Sequence, residues 1–175
     1  MEGAELIAEA LGRVNAILHR SLEGTPADML CRMPAPHANS MAWTAWHLTR
    51  VQDDHISDLA ELPELWTSAG WHTRFDMEPD DAETGQGHTF DEVAAFKVES
   101  AEVLLAYQDA VYERSKEYLA GLKPADLVRE LDEPQYDPLP TVGVRLVSIV
   151  SDNTQHAGQV AYLRGYFEEK GWGRA

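Results

Sequence analysis

The sequence has a single cysteine among its 175 residues, so no internal disulfide can form, and a reducing cytoplasm is the expected location. We interpret Cys31, which lies among apolar residues, as a small buried hydrophobe. No apolar run approaches the roughly 18–20 residues of a membrane span, and the N-terminus lacks the pattern of a signal peptide. Basic residues are also scarce, with 14 against 30 acids and a formal net charge of −16. Neither nucleic acid nor a membrane is expected as a partner, because both favour a basic surface.

The apolar residues that are present follow a helical pattern. Four stretches, about 4–22, 40–60, 90–121 and 141–165, have them at three- and four-residue steps, which places them on one face of a helix. The length is that of one domain, and we predict a single domain over residues 1–175. The predicted fold is all-α: an antiparallel four-helix bundle with short connecting helices and a long loop between the second and third helices.

Local signals mark the helix starts and the long loop. Ser40 is a predicted N-cap of the second helix, and Thr89–Glu92 forms a capping box that we expect to start the third. Region 61–88 is rich in Gly and Pro, and connections of this length are usually functional or disordered. Its large aromatic residues favour burial, so we predict an ordered covering segment beside a pocket. These aromatic residues are Trp66, Trp71 and Phe75.

A faint internal repeat supports the same organisation. Segments 21–30 and 118–127 each contain Pro-Ala-Asp, a common start of a short helix. Each segment follows one long helix and precedes another, so the chain divides into two similar halves. Such a repeat would place the second and fourth helices in equivalent positions, although the tripeptide could also have arisen twice by chance.

Three side chains on those two helices predict a metal site. His47 lies on the inward side of the second helix, and Asp152 and His156 are four residues apart on the fourth. That spacing puts both on one helix face, with Cβ atoms roughly 5–6 Å apart. A carboxylate on a core-facing stripe needs a partner, because burying it alone is costly. A metal ion would serve all three side chains; a hydrogen-bonded Asp–His pair and an ordinary core histidine are the alternatives.

The donor set indicates which metal to expect. Two nitrogens and one oxygen suit Zn²⁺ and related divalent ions such as Ni²⁺. Three protein ligands also leave at least one coordination position for water or substrate, which distinguishes catalytic from structural sites. We therefore predict one divalent ion per chain, with Zn²⁺ preferred.

Two stretches of the chain carry a family resemblance. Trp43–His55 and Asp152–Gln159 resemble the DinB superfamily, particularly its branch of mycothiol-dependent maleylpyruvate isomerase and related thiol S-transferases. The resemblance implies a four-helix bundle, often dimeric, with one metal held by the second and fourth helices. It assigns His47 and His156 as ligands. Asp152 stands where many members have histidine and the isomerase branch has glutamate.

Other polar residues near these motifs have several interpretations. His55 is about 12 Å along the helix from His47, too far to share its metal, and is solvated or hydrogen-bonded near the site. Gln159 is a substrate contact or a packing residue. Arg50 and Arg164 bind an anionic substrate or form surface salt bridges. We expect Gln159, Arg50 and His55 to contact the substrate or to support the metal ligands.

The open metal site favours an enzyme. Our preferred hypothesis is a metal-dependent transferase or isomerase that joins a low-molecular-weight thiol, of the mycothiol or bacillithiol type, to an electrophilic substrate. Metal-assisted hydrolysis is a second hypothesis, and a non-enzymatic metal- or ligand-binding protein is a third. No residue is assigned as general acid or base, and a homodimer is expected only from the resemblance.

Overall fold

The computed structural model describes residues 2–171 of the protein. Over that range the secondary structure is helical, apart from one isolated bridge between Glu130 and Thr141. The helices are α1 (Gly3–Leu22), α2 (Ala27–Leu30), α3 (Met41–Ala60), α4 (Leu65–Ser68), α5 (Trp71–Arg74), α6 (Phe90–Ala95), α7 (Ala101–Gly121) and α8 (Val142–Phe167), with a 3-10 turn at Asp126–Val128. The all-α prediction is confirmed. None of these helices is long and apolar enough to cross a membrane.

The predicted boundaries hold closely for α1, α3 and α8. The Ser40 hydroxyl accepts a hydrogen bond from the backbone N–H of Trp43 (3.2 Å), which caps α3 as expected. The two Pro-Ala-Asp segments give α2 and the 3-10 turn. That residues 1–175 form one domain stays a prediction, and residue 1 and residues 172–175 lie outside the described residues.

The predicted third helix is divided in two, which corrects its expected span of 90–121. The capping box at Thr89 forms, but it starts only the short α6. At Phe96 the backbone becomes extended (ψ 122°), and α7 begins five residues later. Phe96 packs on Trp46 with ring centroids 5.0 Å apart, and Val98 is also buried. Burial of alternate residues requires an extended segment here, and this long-range packing outweighs the local helical pattern.

Helices α3 and α8 run in opposite directions. His47 near the start of α3 lies beside His156 late in α8, and His55 near the end of α3 contacts Arg145 early in α8. Helices α1 and α7 are also antiparallel, as the order of their contacts shows. Asn15 binds Asp109, while Gly12, earlier in α1, lies against Tyr112, later in α7.

The other two packed pairs are parallel, so the expected antiparallel arrangement is wrong for them. In α3 and α7, Thr49 contacts Gln108 and Ser57 contacts Arg114. In α1 and α8, the N-terminal halves line one cavity, and Arg164 reaches the end of α1. The reason is the long connection after α3, which lets the chain return and begin α7 in the same direction.

The core includes the covering segment between α3 and α6. Trp66 is fully buried, and its ring lies 5.6 Å from that of Tyr107 in α7. Trp71 and Phe75 are buried in the same cluster. The prediction of an ordered covering segment is therefore confirmed, and this segment lies beside α3. Cys31 is half-buried and packs against this core.

Candidate metal centre

The three predicted ligands come together between α3 and α8. His47, Asp152 and His156 each offer a ligand atom, and these atoms all lie within 4.8 Å of one another. The two imidazole rings are 5.1 Å apart and nearly perpendicular, at 81°. The i, i+4 spacing in α8 brings Oδ1 of Asp152 to 3.4 Å from Nε2 of His156. Three convergent donors on two facing helices form an arrangement that can hold a single divalent ion.

An unpaired oxygen shows that this group fits a cation. Oδ2 of Asp152 is buried and has no hydrogen-bond partner in the described part of the chain. A buried carboxylate oxygen left unpaired costs about 1–3 kcal/mol or more, because it has lost its water without replacement. A divalent ion between the three side chains would supply the missing interaction.

Hydrogen bonds on the outer side of both imidazoles set their tautomers. Nδ1 of His47 lies 2.5 Å from the carbonyl oxygen of Thr84, and Nδ1 of His156 lies 2.9 Å from Oε1 of Gln159. Since both oxygens only accept, each Nδ1 carries a proton and donates it. Each Nε2 is then the nitrogen that can bind a metal, and such outer partners are the usual support of metal-binding histidines.

The three side chains of the candidate site, His47, Asp152 and His156 (the trio), differ in their tendency to carry charge. Burial lowers the pKa of His47, whereas the hydrogen bond with Asp152 raises the pKa of His156. Burial opposes ionisation of Asp152, but its bond to His156 brings the carboxyl pKa below the ordinary value. The lowered pKa favours the neutral form of His47, and the pairing with Asp152 favours the protonated form of His156. A metal that binds Nε2 of His156 competes with that proton.

Arg50 corrects the expectation of an exposed side chain. It is fully buried, and its Nη1 lies 2.6 Å from the Glu64 carboxylate, so it forms neither a surface salt bridge nor a substrate contact. Its Nε and Nη2 donate to the carbonyls of Glu83 (3.0 Å) and Asp81 (2.8 Å). Arg50 thus fixes the covering segment just before Thr84, whose carbonyl orients the metal-site histidine of α3.

The remaining predicted residues separate into different roles. Gln159 is exposed and accepts the hydrogen bond from Nδ1 of His156, so it positions a candidate ligand. Arg164 forms the expected salt bridge, with Glu168 at 3.1 Å. His55 is not part of the trio; its Nδ1 lies 3.1 Å from Nη1 of Arg145 and its ring borders the same cavity as His47.

The candidate metal centre borders a cavity of about 1180 Å³, which His47 and Asp152 line. Its walls are α1, α3 and α8, and the covering segment contributes Thr84 and Gln86. Typical pockets for small molecules measure roughly 300–1,000 Å³, so this one has room for more than one small reactant. Sequence reasoning missed Thr84, because it acts through a backbone carbonyl, which no side-chain pattern reveals. The nearby Gly85 and Gly87, both with positive φ, were the one local signal of a tight turn there.

Known proteins resemble this chain over nearly its whole length. A family model described as the DinB superfamily matches residues 10–160, a range that includes all three candidate ligands. Among solved structures, a crystal structure described as the conserved protein of locus from Enterococcus faecalis has 31% sequence identity and a TM-score of 0.88. The similarity covers 97% of this chain and 99% of that chain. No match was found among curated proteins.

Proposed function

The chain belongs to the DinB superfamily, and we propose that it holds one divalent metal ion through His47, Asp152 and His156 and transfers a small-molecule thiol to an electrophile. Zn²⁺ is the preferred ion, with Ni²⁺ and other divalent ions as alternatives. The observation that carries the proposal is a three-donor group beside a large cavity, which His47 and Asp152 line. A closed structural site would instead have four protein ligands.

The residues of the chain would divide the work as follows. His47 and His156 supply neutral nitrogens, and Asp152 supplies the one negative charge, so a divalent ion would keep a net positive charge. When bound, such an ion supplies Lewis acidity that favours the thiolate form of a thiol. The cavity would hold the electrophile next to the thiol and restrict access of water. No residue of the chain is assigned as general base.

Several finer points extend the same proposal. The long helices α1, α3, α7 and α8 would form one four-helix bundle, with this cavity between α1, α3 and α8. On the resemblance and the composition we also propose membership of the branch of mycothiol-dependent isomerases and thiol S-transferases, a cytoplasmic location and a homodimer. Water in place of the thiol would make the protein a hydrolase, which is the second candidate because the same open position would serve it.

The first experiment is elemental analysis of protein purified without a polyhistidine tag. We expect about one divalent ion per chain in the parent and a large loss in His47→Ala and Asp152→Ala. His37→Ala is the matched control, because His37 is exposed and packs on Phe90, away from the trio. Equal metal content in all four proteins would overturn the site.

The second experiment tests the reaction. Metal-loaded protein is incubated with mycothiol or bacillithiol and a generic electrophile, and the thioether product is measured by mass spectrometry. We expect product that requires both the metal and His47. A bound metal without any metal-dependent adduct would exclude thiol transfer. Metal-dependent ester or amide cleavage in the same samples would then support the hydrolase. The absence of both reactions would support a role in metal or ligand binding without catalysis.

A further inference from the structure

We propose that Trp43 is a positioning residue of the metal centre: its indole holds the imidazole of His47 in the plane that directs Nε2 towards the other two candidate ligands. This inference rests on the proposed metal site and assigns a role to a side chain that does not itself bind the ion. The covering segment holds both rings and takes part in the same arrangement.

The two rings are stacked on one side of α3. Trp43 and His47 are four residues apart, so both side chains project from the same face of the helix. Their ring centroids are 4.9 Å apart and the ring planes differ by 11°, which is an offset stack of nearly parallel rings. Both residues are buried. His47 lines the cavity, whereas Trp43 is not among the described residues that line it, so the indole lies behind the candidate ligand and outside the substrate space.

The stack restricts a motion that the hydrogen bond of His47 leaves free. Nδ1 of His47 donates to the carbonyl oxygen of Thr84 at 2.5 Å, which fixes one atom of the ring. A single hydrogen bond tolerates a range of angles, so the imidazole can still rotate about the line between donor and acceptor. Such rotation would turn the lone pair of Nε2 out of the direction of the other two donors. The parallel indole opposes it, because a rotated imidazole would lose the stack and collide with the indole face.

The indole is itself held by the covering segment. Nε1 of Trp43 donates to Nδ1 of His88 at 3.1 Å, and because this Nδ1 accepts, Nε2 of His88 carries the ring proton. That Nε2 lies 3.0 Å from Oε1 of Glu83, and the same oxygen accepts from the backbone N–H of Gly85 at 2.7 Å. The Glu83 carboxylate thus ties together the turn that contains Thr84.

The backbone of this turn also lies against the indole. A Cβ at Gly85 would lie 2.9 Å from the Trp43 ring, so the close approach requires glycine. The carbonyl that binds His47 belongs to the preceding residue, Thr84. One turn of the covering segment therefore contacts both members of the stack, and the orientation of His47 depends on the indole as well as on the carbonyl.

Trp43→Leu tests this proposal, with Trp71→Leu as the matched control. Both indoles are buried in the same core cluster, at 6% and 7% exposed, so the two variants lose similar packing. Trp71 packs on Tyr107 and under the guanidinium of Arg74, away from the trio. We expect the Zn²⁺ affinity of the full chain, measured by competition with a chromophoric chelator, to fall about tenfold in Trp43→Leu and less than about twofold in Trp71→Leu.

A spectroscopic measurement separates positioning from packing. In the Co²⁺-loaded full chain the visible absorption bands depend on the geometry of the metal ligands, and a loss of packing elsewhere in the core leaves that geometry unchanged. We expect the bands to shift in Trp43→Leu and to stay in place in Trp71→Leu. His88→Leu keeps the indole but removes its hydrogen bond, so we expect a smaller loss of affinity and a smaller shift.

The outcomes that overturn the proposal are specific. Equal losses of Zn²⁺ affinity in Trp43→Leu and Trp71→Leu would overturn it, as would unchanged Co²⁺ bands in Trp43→Leu. If Trp43→Leu does not fold, unchanged affinity and bands in His88→Leu would overturn it instead. Failure of the parent protein to bind Zn²⁺ would reject the proposed function, so the two failures are distinguishable.

Discussion

His47 and Arg50 lie one turn apart on α3 and bind adjacent parts of the same covering segment. His47 donates from Nδ1 to the carbonyl of Thr84, and Arg50 donates to the carbonyls of Glu83 and Asp81. The geometry of a candidate metal ligand thus depends on a loop that a buried guanidinium holds in place. This arrangement accounts for a charged residue in the core beside a site that it does not touch.

Arg50→Lys is expected to weaken metal binding. Lysine keeps the charge beside Glu64, but it cannot reach two carbonyls and a carboxylate with one ammonium group. Loss of a group bonded directly to a metal ligand typically costs about 10–100-fold in metal affinity, and Arg50 acts one step further out, so we expect a loss of up to about tenfold. Competition with a chromophoric chelator measures the change. Arg114→Lys is the control, because Arg114 holds Ser57 and the Pro63 carbonyl, away from the trio; equal losses in both variants would contradict the prediction.

Gly85→Ala is expected to destabilise the protein more than Gly87→Ala. Both glycines have positive φ, at 83° and 86°, so both substitutions carry backbone strain of about 1–2 kcal/mol. A Cβ at Gly85 would also lie 2.7 Å from the Trp46 ring and 2.9 Å from the Trp43 ring, whereas none of the described atoms lies within 4 Å at Gly87. Overpacking adds about 1–3 kcal/mol for Gly85. Urea unfolding of the two variants measures the difference, and equal midpoints would refute it.

His19 is expected to stabilise the protein more at low pH than at high pH. Its ring nitrogens lie 2.8 Å from Asp109 on α7 and 2.8 Å from Glu23, and the bond to Asp109 raises its pKa above the ordinary 6.5. With a raised folded-state pKa, the stabilisation is complete below 6.5 and disappears as the pH rises through the folded-state value. Because the pair is partly exposed, we expect less than about 1 kcal/mol.

The measurement for His19 is the unfolding free energy of the parent and His19→Gln between about pH 6 and pH 9. The difference between the two proteins should shrink as the pH increases. His37→Gln, at an exposed histidine with no carboxylate contact among the described residues, is the control for the loss of an imidazole alone. A constant difference for His19→Gln would show that its bonds do not depend on the imidazolium charge.

The sequence by itself determined the helices and the components of the site. Apolar spacing located α1, α3 and α8, and the Ser40 cap fixed the start of α3. The i, i+4 relation of Asp152 and His156 follows from helix geometry alone, because residues four apart share a face in any helix. These are local relations, which are set by bonds and spacings within a few residues.

The tertiary structure decided everything that depends on distant partners. Packing of Phe96 on Trp46 ended the predicted third helix early, and the long connection after α3 made α3 and α7 parallel. Burial of Arg50 under the covering segment and the approach of the Thr84 carbonyl to His47 also required the folded chain. A side chain's type and spacing show what it can bind, whereas the three-dimensional packing of remote segments decides which partner it meets.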